Sequence, residues 1–219
     1  MEDWNANQLV PMREAIYRQL RAMILEGRFA AGKRLVERDI AAQLNVSRTP
    51  IREALFRLES QGLVRTVPRK GVVVETVSAS RLLDIFDILS ALEALSAELS
   101  ARRIDGEKAQ LCETWIGRID TFLSGTREEA AAFHLAVCHC QYSLSGNTRL
   151  QSMLADLNDY VQAFATAGYR RPGRLELAMT EHRATLAAIR DGKADAAKQA
   201  AAEHIERARA AYLEAAMTR

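Results

Sequence analysis

Cysteine is scarce: three residues in 219 (Cys112, Cys138 and Cys140), an odd number that suits a reducing compartment better than a disulfide framework. Proline (4) and glycine (11) are also few, and aromatics make up only 6% of the chain. That composition excludes a collagen-like or low-complexity protein and favours helix. No stretch approaches the roughly 18 uninterrupted apolar residues of a membrane helix, and the opening MEDWNANQLVP lacks a basic segment followed by an apolar one. The expectation is a cytoplasmic protein with no membrane partner. With 48% apolar and 26% charged residues, the chain has the composition of a globular protein of one or two domains.

A strong overall charge is also missing, since the formal net charge is only +2. Locally the picture differs. Divided after Thr76, residues 1–76 carry 13 Lys and Arg against 9 Asp and Glu, whereas residues 77–219 carry 17 against 19. The basic excess belongs to the smaller N-terminal part. It fits a nucleic-acid-binding head on a near-neutral body, and equally an ordinary solvated surface.

Apolar residues at Ile16, Leu20, Met23 and Ile24 predict one face of a helix over 12–26, ended by Gly27. GRFAAGKRLV reads as a turn and a brief strand at 34–36. A second helix follows from Glu37, carrying Ile40, Ala41 and Leu44 inward. The short turn Asn45-Val46-Ser47 is of the kind that joins two helices at a steep angle. Ser47 is a candidate N-cap for a third helix, with Pro50 in its first turn and Ile51, Ala54, Leu55 and Leu58 as its buried stripe. LVRTV-PRKG-VVVE then reads as a β-hairpin with Arg69 and Lys70 at the tip. The remainder breaks into six helical patterns, at 79–103, 107–124, 127–144, 148–168, 173–191 and 193–216, joined by short loops. In the fourth, Leu150, Met153, Leu154, Leu157, Val161 and Phe164 share a face. The predicted fold is mainly α: an N-terminal winged helix-turn-helix domain (1–76) and a C-terminal all-α six-helix bundle (77–219).

In a winged helix-turn-helix the second helix of the motif enters the major groove and the wing approaches the backbone or minor groove. Arg48 and Arg52, four apart, share a face turned away from the apolar stripe, and each can grip guanine O6 and N7. Ser47 and Thr49 can donate to phosphate, Arg38 opens the preceding helix, and Arg69, Lys70 and Gly71 put charge on a slim hairpin. Taken singly, each arginine is also readable as a solvated charge or a helix pair such as Glu53 with Arg57.

The ordered string ILEGRFAAGKRLVERDIAAQLNVSRTPIREALFRLESQGLV, followed by a wing, resembles the GntR family of bacterial transcription regulators over residues 12–76, most specifically at VSRTPIREAL (Val46 to Leu55). The resemblance implies that Arg38, Arg48 and Arg52 contact bases or nearby phosphates and that Gly71 approaches the minor groove. The helical remainder looks like the ligand-sensing FCD domain of the FadR-type subfamily, and six helices suggest its VanR-like branch. This second resemblance rests on FHLAVCHCQYSLSGNTRL, TEHRATLAAIRDGKADAA and AAEHI, which carry His134, His182 and His204.

Three histidines on three helices can converge in a bundle, and neutral imidazole suits zinc, nickel and similar ions. In many relatives such a trio binds a divalent metal with an aspartate four residues before the first histidine. Here Ala130 stands at that position. At 100° per residue Glu128 and Glu129 point elsewhere, while Cys138 lies about 40° from His134 and is a soft substitute ligand. The arginine that the family often places four before the glutamate of its first helix is replaced by Leu89, before Glu93. The expected effector pocket is His134, His182, His204, Cys138 and Glu93, holding either a metal or, without one, water or an organic effector. His139 lies about 140° round from His134 and reads as surface or interface. Cys138-His139-Cys140 is not a chelate on a helix. Trp115, Tyr160, Phe164 and Tyr169 read as core or pocket wall.

These readings point to a homodimeric, metabolite-responsive repressor that grips a palindromic double-stranded operator and senses a small molecule such as an organic acid. The alternative is a metal-dependent hydrolase using the three-histidine site. No well-placed carboxylate base accompanies that trio.

Overall fold

In a computed structural model the chain is described over residues 12–25, 27–75, 79–122, 126–164 and 173–217. It divides into two compact units, Met1–Val77 and Ser78–Arg219. The first comprises α1 (Met12–Leu25), β1 (Arg34–Leu35), α2 (Glu37–Gln43), α3 (Arg48–Ser60), β2 (Val64–Val67) and β3 (Gly71–Val74). Helix α1 buries Ile16, Tyr17, Leu20 and Ile24 and packs on α3, whose Ile51, Ala54, Leu55 and Leu58 complete the core. Gly27 ends α1 at φ +73°, its N–H donating to the carbonyl of Ile24, a left-handed turn that glycine adopts without steric cost. Asn45 takes the same region (φ +52°) between α2 and α3.

The three strands form an antiparallel sheet in the order β1-β3-β2, with Val64 opposite Val74 and Val67 opposite Gly71. β1 is shorter than the expected strand and pairs Arg34 with Val73 and Leu35 with Val72. It covers the edge of β3 that a lone hairpin would leave open. Arg69 (φ +63°) and Gly71 (φ +79°) make the tip of the wing. Ser47 stands at the N-cap of α3, but its hydroxyl makes no capping bond.

The second unit contains α4 (Ala79–Arg102), α5 (Gly106–Asp120), α6 (Arg127–Ser143), α7 (Thr148–Phe164), α8 (Arg174–Arg190) and α9 (Ala194–Met217). Asp105 caps α5 by accepting from the Lys108 N–H, and Thr126 with Glu129 forms a reciprocal capping box on α6. Helix α4 packs on α9 and α7, and α8 on α5 and α9. Buried Ala94, Ala97 and Ala101 on α4 and Ala197, Ala201 and Ala208 on α9 present small side chains that let helix axes approach closely. Met153, expected on the buried face of α7, is 42% exposed, because it lies about 60° round from Leu150, at the edge of the stripe. Trp115 is half-buried against Phe133, with the Arg118 guanidinium over its ring, and Tyr160 is buried. Tyr169 and the side chain of Phe164 fall outside the described residues.

Candidate functional site

In the first unit, all eight residues predicted to meet DNA are exposed. Arg48 and Thr49 occupy the first turn of α3 and Arg52 the second. Arg52 is held in a fork: its Nε and Nη2 donate to the two carboxylate oxygens of Glu37 at 3.1 and 2.9 Å. This pairing lowers the Glu37 carboxyl below its ordinary range and raises the guanidinium. Among the described residues, Arg38 reaches its neighbour Asp39. Gly71 is required by its backbone angle rather than by crowding, since an added Cβ would meet only the Arg34 guanidinium, at 3.7 Å. The Glu53–Arg57 helix pair, one of the alternative readings of these arginines, is not formed among the described residues. Glu53 pairs with Arg13, while Arg57 pairs with Glu14 at 2.8 Å and stacks 3.7 Å from the Tyr17 ring centre. Helix α1 thus offers Arg57 both a carboxylate and an aromatic face, which an i,i+4 neighbour cannot. Phe56, 73% exposed on α3, escaped the sequence reading. Its signal was an apolar residue on the arc otherwise held by Arg48, Thr49 and Arg52.

In the second unit the histidines converge. His134 (α6), His182 (α8) and His204 (α9) are all at most 2% exposed. The Nε2 atoms of His134 and His182 lie 3.1 Å apart, and Cys138 Sγ is 3.8 and 3.5 Å from them. Donors bound tetrahedrally to one zinc, at about 2.0–2.3 Å each, stand about 3.3–3.6 Å from one another, so these residues fit such an ion. His182 donates through Nδ1 to Gln141 Oε1 at 3.0 Å, leaving the lone pair on Nε2. His204 is turned by Glu181, which accepts from its Nδ1 at 2.7 Å, and its ring centre lies 4.3 Å from that of His182. The described donor atoms that all lie within 4.8 Å of one another are those of His134, Cys138 and His182. Cys138 therefore joins the cluster more tightly than His204, which the sequence reading had placed among the three ligands.

Burial, reinforced by the Arg174 cation, lowers His134 to about 4. His182 and His204 are held well below their ordinary value, first by burial. All three are neutral near pH 7, the form that ligates metal. Burial and the nearby Glu93 charge push the Cys138 thiol well up, so a thiolate there requires a cation beside it. Glu93 accepts from the Tyr142 hydroxyl, and burial raises it to about 7. Glu181 is the hub of a buried ion network, with Arg174 at 3.0 Å and Arg207 at 3.4 Å. The sequence reading missed Arg174, Glu181 and Gln141. Glu181 immediately precedes His182, Gln141 stands three residues after Cys138, and Arg174 stands eight residues before His182.

Ala130 is buried one turn before His134, and with Phe122, Leu175 and Met179 it lines a separate hollow of about 230 Å³. Glu128 and Glu129 are exposed, the latter occupied in the capping box. His139 is exposed as well.

The sequence matches the family described as "Bacterial regulatory proteins, gntR family" over residues 12–74 and the FCD domain over residues 84–207. It is 28% identical over 206 residues to an HTH-type transcriptional regulator, YdhC, of Bacillus subtilis (strain 168), covering 93% of this chain and 92% of that one. A regulator from the unstable DNA locus of Streptomyces ambofaciens is 30% identical over 88% of this chain and 81% of its own. Among solved structures, E. coli McbR/YncC shares the fold with a TM-score of 0.71 at 20% identity, covering 94% of this chain and 99% of that one. The exposed arginine face and wing of the first unit and the helical second unit are those of a DNA-binding transcriptional regulator, non-enzymatic, and the chain belongs to the GntR family in its FadR-like, FCD-containing subfamily.

Proposed function

We propose that the chain is a cytoplasmic, metabolite-responsive repressor that binds a palindromic operator as a homodimer. The observation that carries this reading is the exposed, basic N-terminal half of α3, which presents Arg48, Thr49 and Arg52 on one face beside a wing tipped by Arg69 and Lys70. Two-fold symmetry of a dimer demands two-fold symmetry of the site. Arg48 and Arg52 read guanine, Ser47, Thr49 and Arg38 position the helix on phosphates, and Arg69, Lys70 and Gly71 bring the wing to the backbone or minor groove.

The second unit senses an effector at the polar centre formed by His134, His182, His204, Cys138 and Glu93. His134, Cys138 and His182 hold a divalent ion, zinc before nickel because of the thiol, with His204 beside them. Such an ion supplies a positive centre for the carboxylate of an organic acid. Gln141 and Glu181 orient the imidazoles, and Arg174 pairs with Glu181 in the bundle interior. An effector acts by binding the DNA-competent and DNA-incompetent dimers with different affinity.

The test uses duplexes selected by the wild-type protein from a randomised pool. Arg52→Ala should bind the selected duplex about 10- to 100-fold more weakly while unrelated DNA is bound as before. Unchanged affinity for the selected duplex would overturn the assignment of α3. Elemental analysis of protein purified without a metal-affinity tag should find one equivalent of metal, lost in Cys138→Ser combined with His182→Ala. Metal-free wild-type protein would remove the ion from the proposal.

A further inference from the structure

We propose that Phe56 is a specificity-determining residue that buries its ring against the 5-methyl group of a thymine in the operator. The inference rests on the reading that α3 enters the major groove. A phenylalanine 73% exposed in a folded head leaves most of a large apolar side chain in water, which burial against a partner would reverse. Its direction is set by the helix. At 100° per residue, Phe56 lies about 20° round from Thr49 and about 40° from Arg52, and about 100–160° from Ile51, Leu55 and Leu58 of the buried stripe. It therefore occupies the middle of the outward arc, and it lines an open groove with Arg48, Thr49, Arg52, Glu53 and Arg57.

The chemistry of that groove identifies the partner. Three arginines line the groove with the ring: Arg52 is paired with Glu37 and Arg57 with Glu14, while Arg48 has no ion pair among the described residues, and the lining acid, Glu53, pairs with Arg13 of α1. A fitting partner offers acceptors to Arg48 and to an Arg52 released from Glu37, and an apolar spot within reach of the same face. Duplex DNA does so in the major groove, where the thymine methyl is the apolar feature among hydrogen-bonding base edges. Phe56 lies seven residues beyond Thr49, an advance of about 10 Å along α3, or about three base-pair steps. Phe56 thus meets a different base pair from the residues of the first turn, and extends the read sequence along the half-site.

The experiment compares wild type, Phe56→Ala and Arg52→Ala on the duplex selected by the wild-type protein, and on copies in which each half-site thymine is replaced in turn by deoxyuridine, which removes only the methyl. Wild type should lose about fourfold in affinity at one thymine per half-site, the order expected for one methyl group returned to water. Phe56→Ala should bind the parent duplex more weakly, melt at the wild-type temperature because the ring is exposed, and be indifferent to that deoxyuridine. Wild-type indifference to every deoxyuridine, or equal sensitivity in Phe56→Ala, would overturn the proposal. So would a Phe56→Ala variant whose only change is in self-association, since the ring would then face protein. If Arg52→Ala binds as wild type, α3 is not the reading helix and the proposal falls with it. If Arg52→Ala is weakened and Phe56→Ala is not, this inference alone fails.

Discussion

Glu93→Gln removes a buried charge while preserving the shape of the side chain and an oxygen for the Tyr142 hydroxyl. Burial raises the Glu93 carboxyl from its ordinary 4.5 to about 7, against the lowering influence of that hydrogen bond, and its Oε2 has no partner among the described residues. Between those two values the folded chain retains a proton that the unfolded chain has released, so stability falls as pH rises through the window. The contribution is complete below 4.5 and lost by about 7. At about 1.4 kcal/mol per pH unit, the part of the window crossed between about pH 5.5 and 8 amounts to about 2 kcal/mol. The buried histidines run the other way. His134, lowered to about 4 from 6.5, contributes stability that is present above 6.5 and lost as pH falls toward 4. The two slopes oppose one another in the wild type, so the quantity to measure is the difference between the two proteins. Urea denaturation followed by circular dichroism in the presence of a chelator gives it directly. The variant should gain about 2 kcal/mol on the wild type between the lower and the higher pH. A difference that is constant, or that shrinks as pH rises, would refute the argument that Glu93 is a desolvated carboxyl.

Other substitutions test separate parts of the structure. Gln141→Ala frees the His182 ring that it holds through Nδ1 and should weaken metal binding about 10- to 100-fold in a chelator competition, with little effect on DNA binding of the metal-free protein. Thr126→Ala breaks the reciprocal cap of α6 and should lower stability by about 1 kcal/mol in urea titrations; no change would show that the cap is redundant. Leu58→Ala opens a cavity at a fully buried position of α3 and should cost about 2–5 kcal/mol, read as a lowered unfolding midpoint. Glu37→Gln releases the Arg52 fork and should strengthen binding to unrelated DNA; weaker binding would mean that Glu37 positions Arg52 rather than restrains it.

Helix spacing and loop residues were enough to locate the head, the wing and the helices of the bundle, because apolar periodicity and glycine turns act locally. Non-local choices were not legible. Nothing in the local spacing says that Arg57 turns from Glu53 to Glu14 and Tyr17, since that depends on how α1 lies across α3. The histidine cluster was legible as three residues on three helices, but the order of approach was not: Gln141 and Glu181 rotate the rings so that Cys138 sits closer to the shared point than His204 does. The Thr126-x-x-Glu129 cap was readable in the sequence and went unread. The exposure of Phe56 was readable too, from its place on the polar arc of α3.

On the proposed reading of α3, the fork between Arg52 and Glu37 would make base reading an exchange rather than an addition. Every approach of α3 to DNA sets a carboxylate against a phosphate surface, and freeing the guanidinium gives up two hydrogen bonds. A guanine would restore both; another base would restore one or none, leaving the released Glu37 uncompensated beside the backbone. The restraint would fall on wrong sites and be lifted at the right one. It would thereby shorten dwell time on random sequence, so that more of the chromosome is sampled between productive encounters.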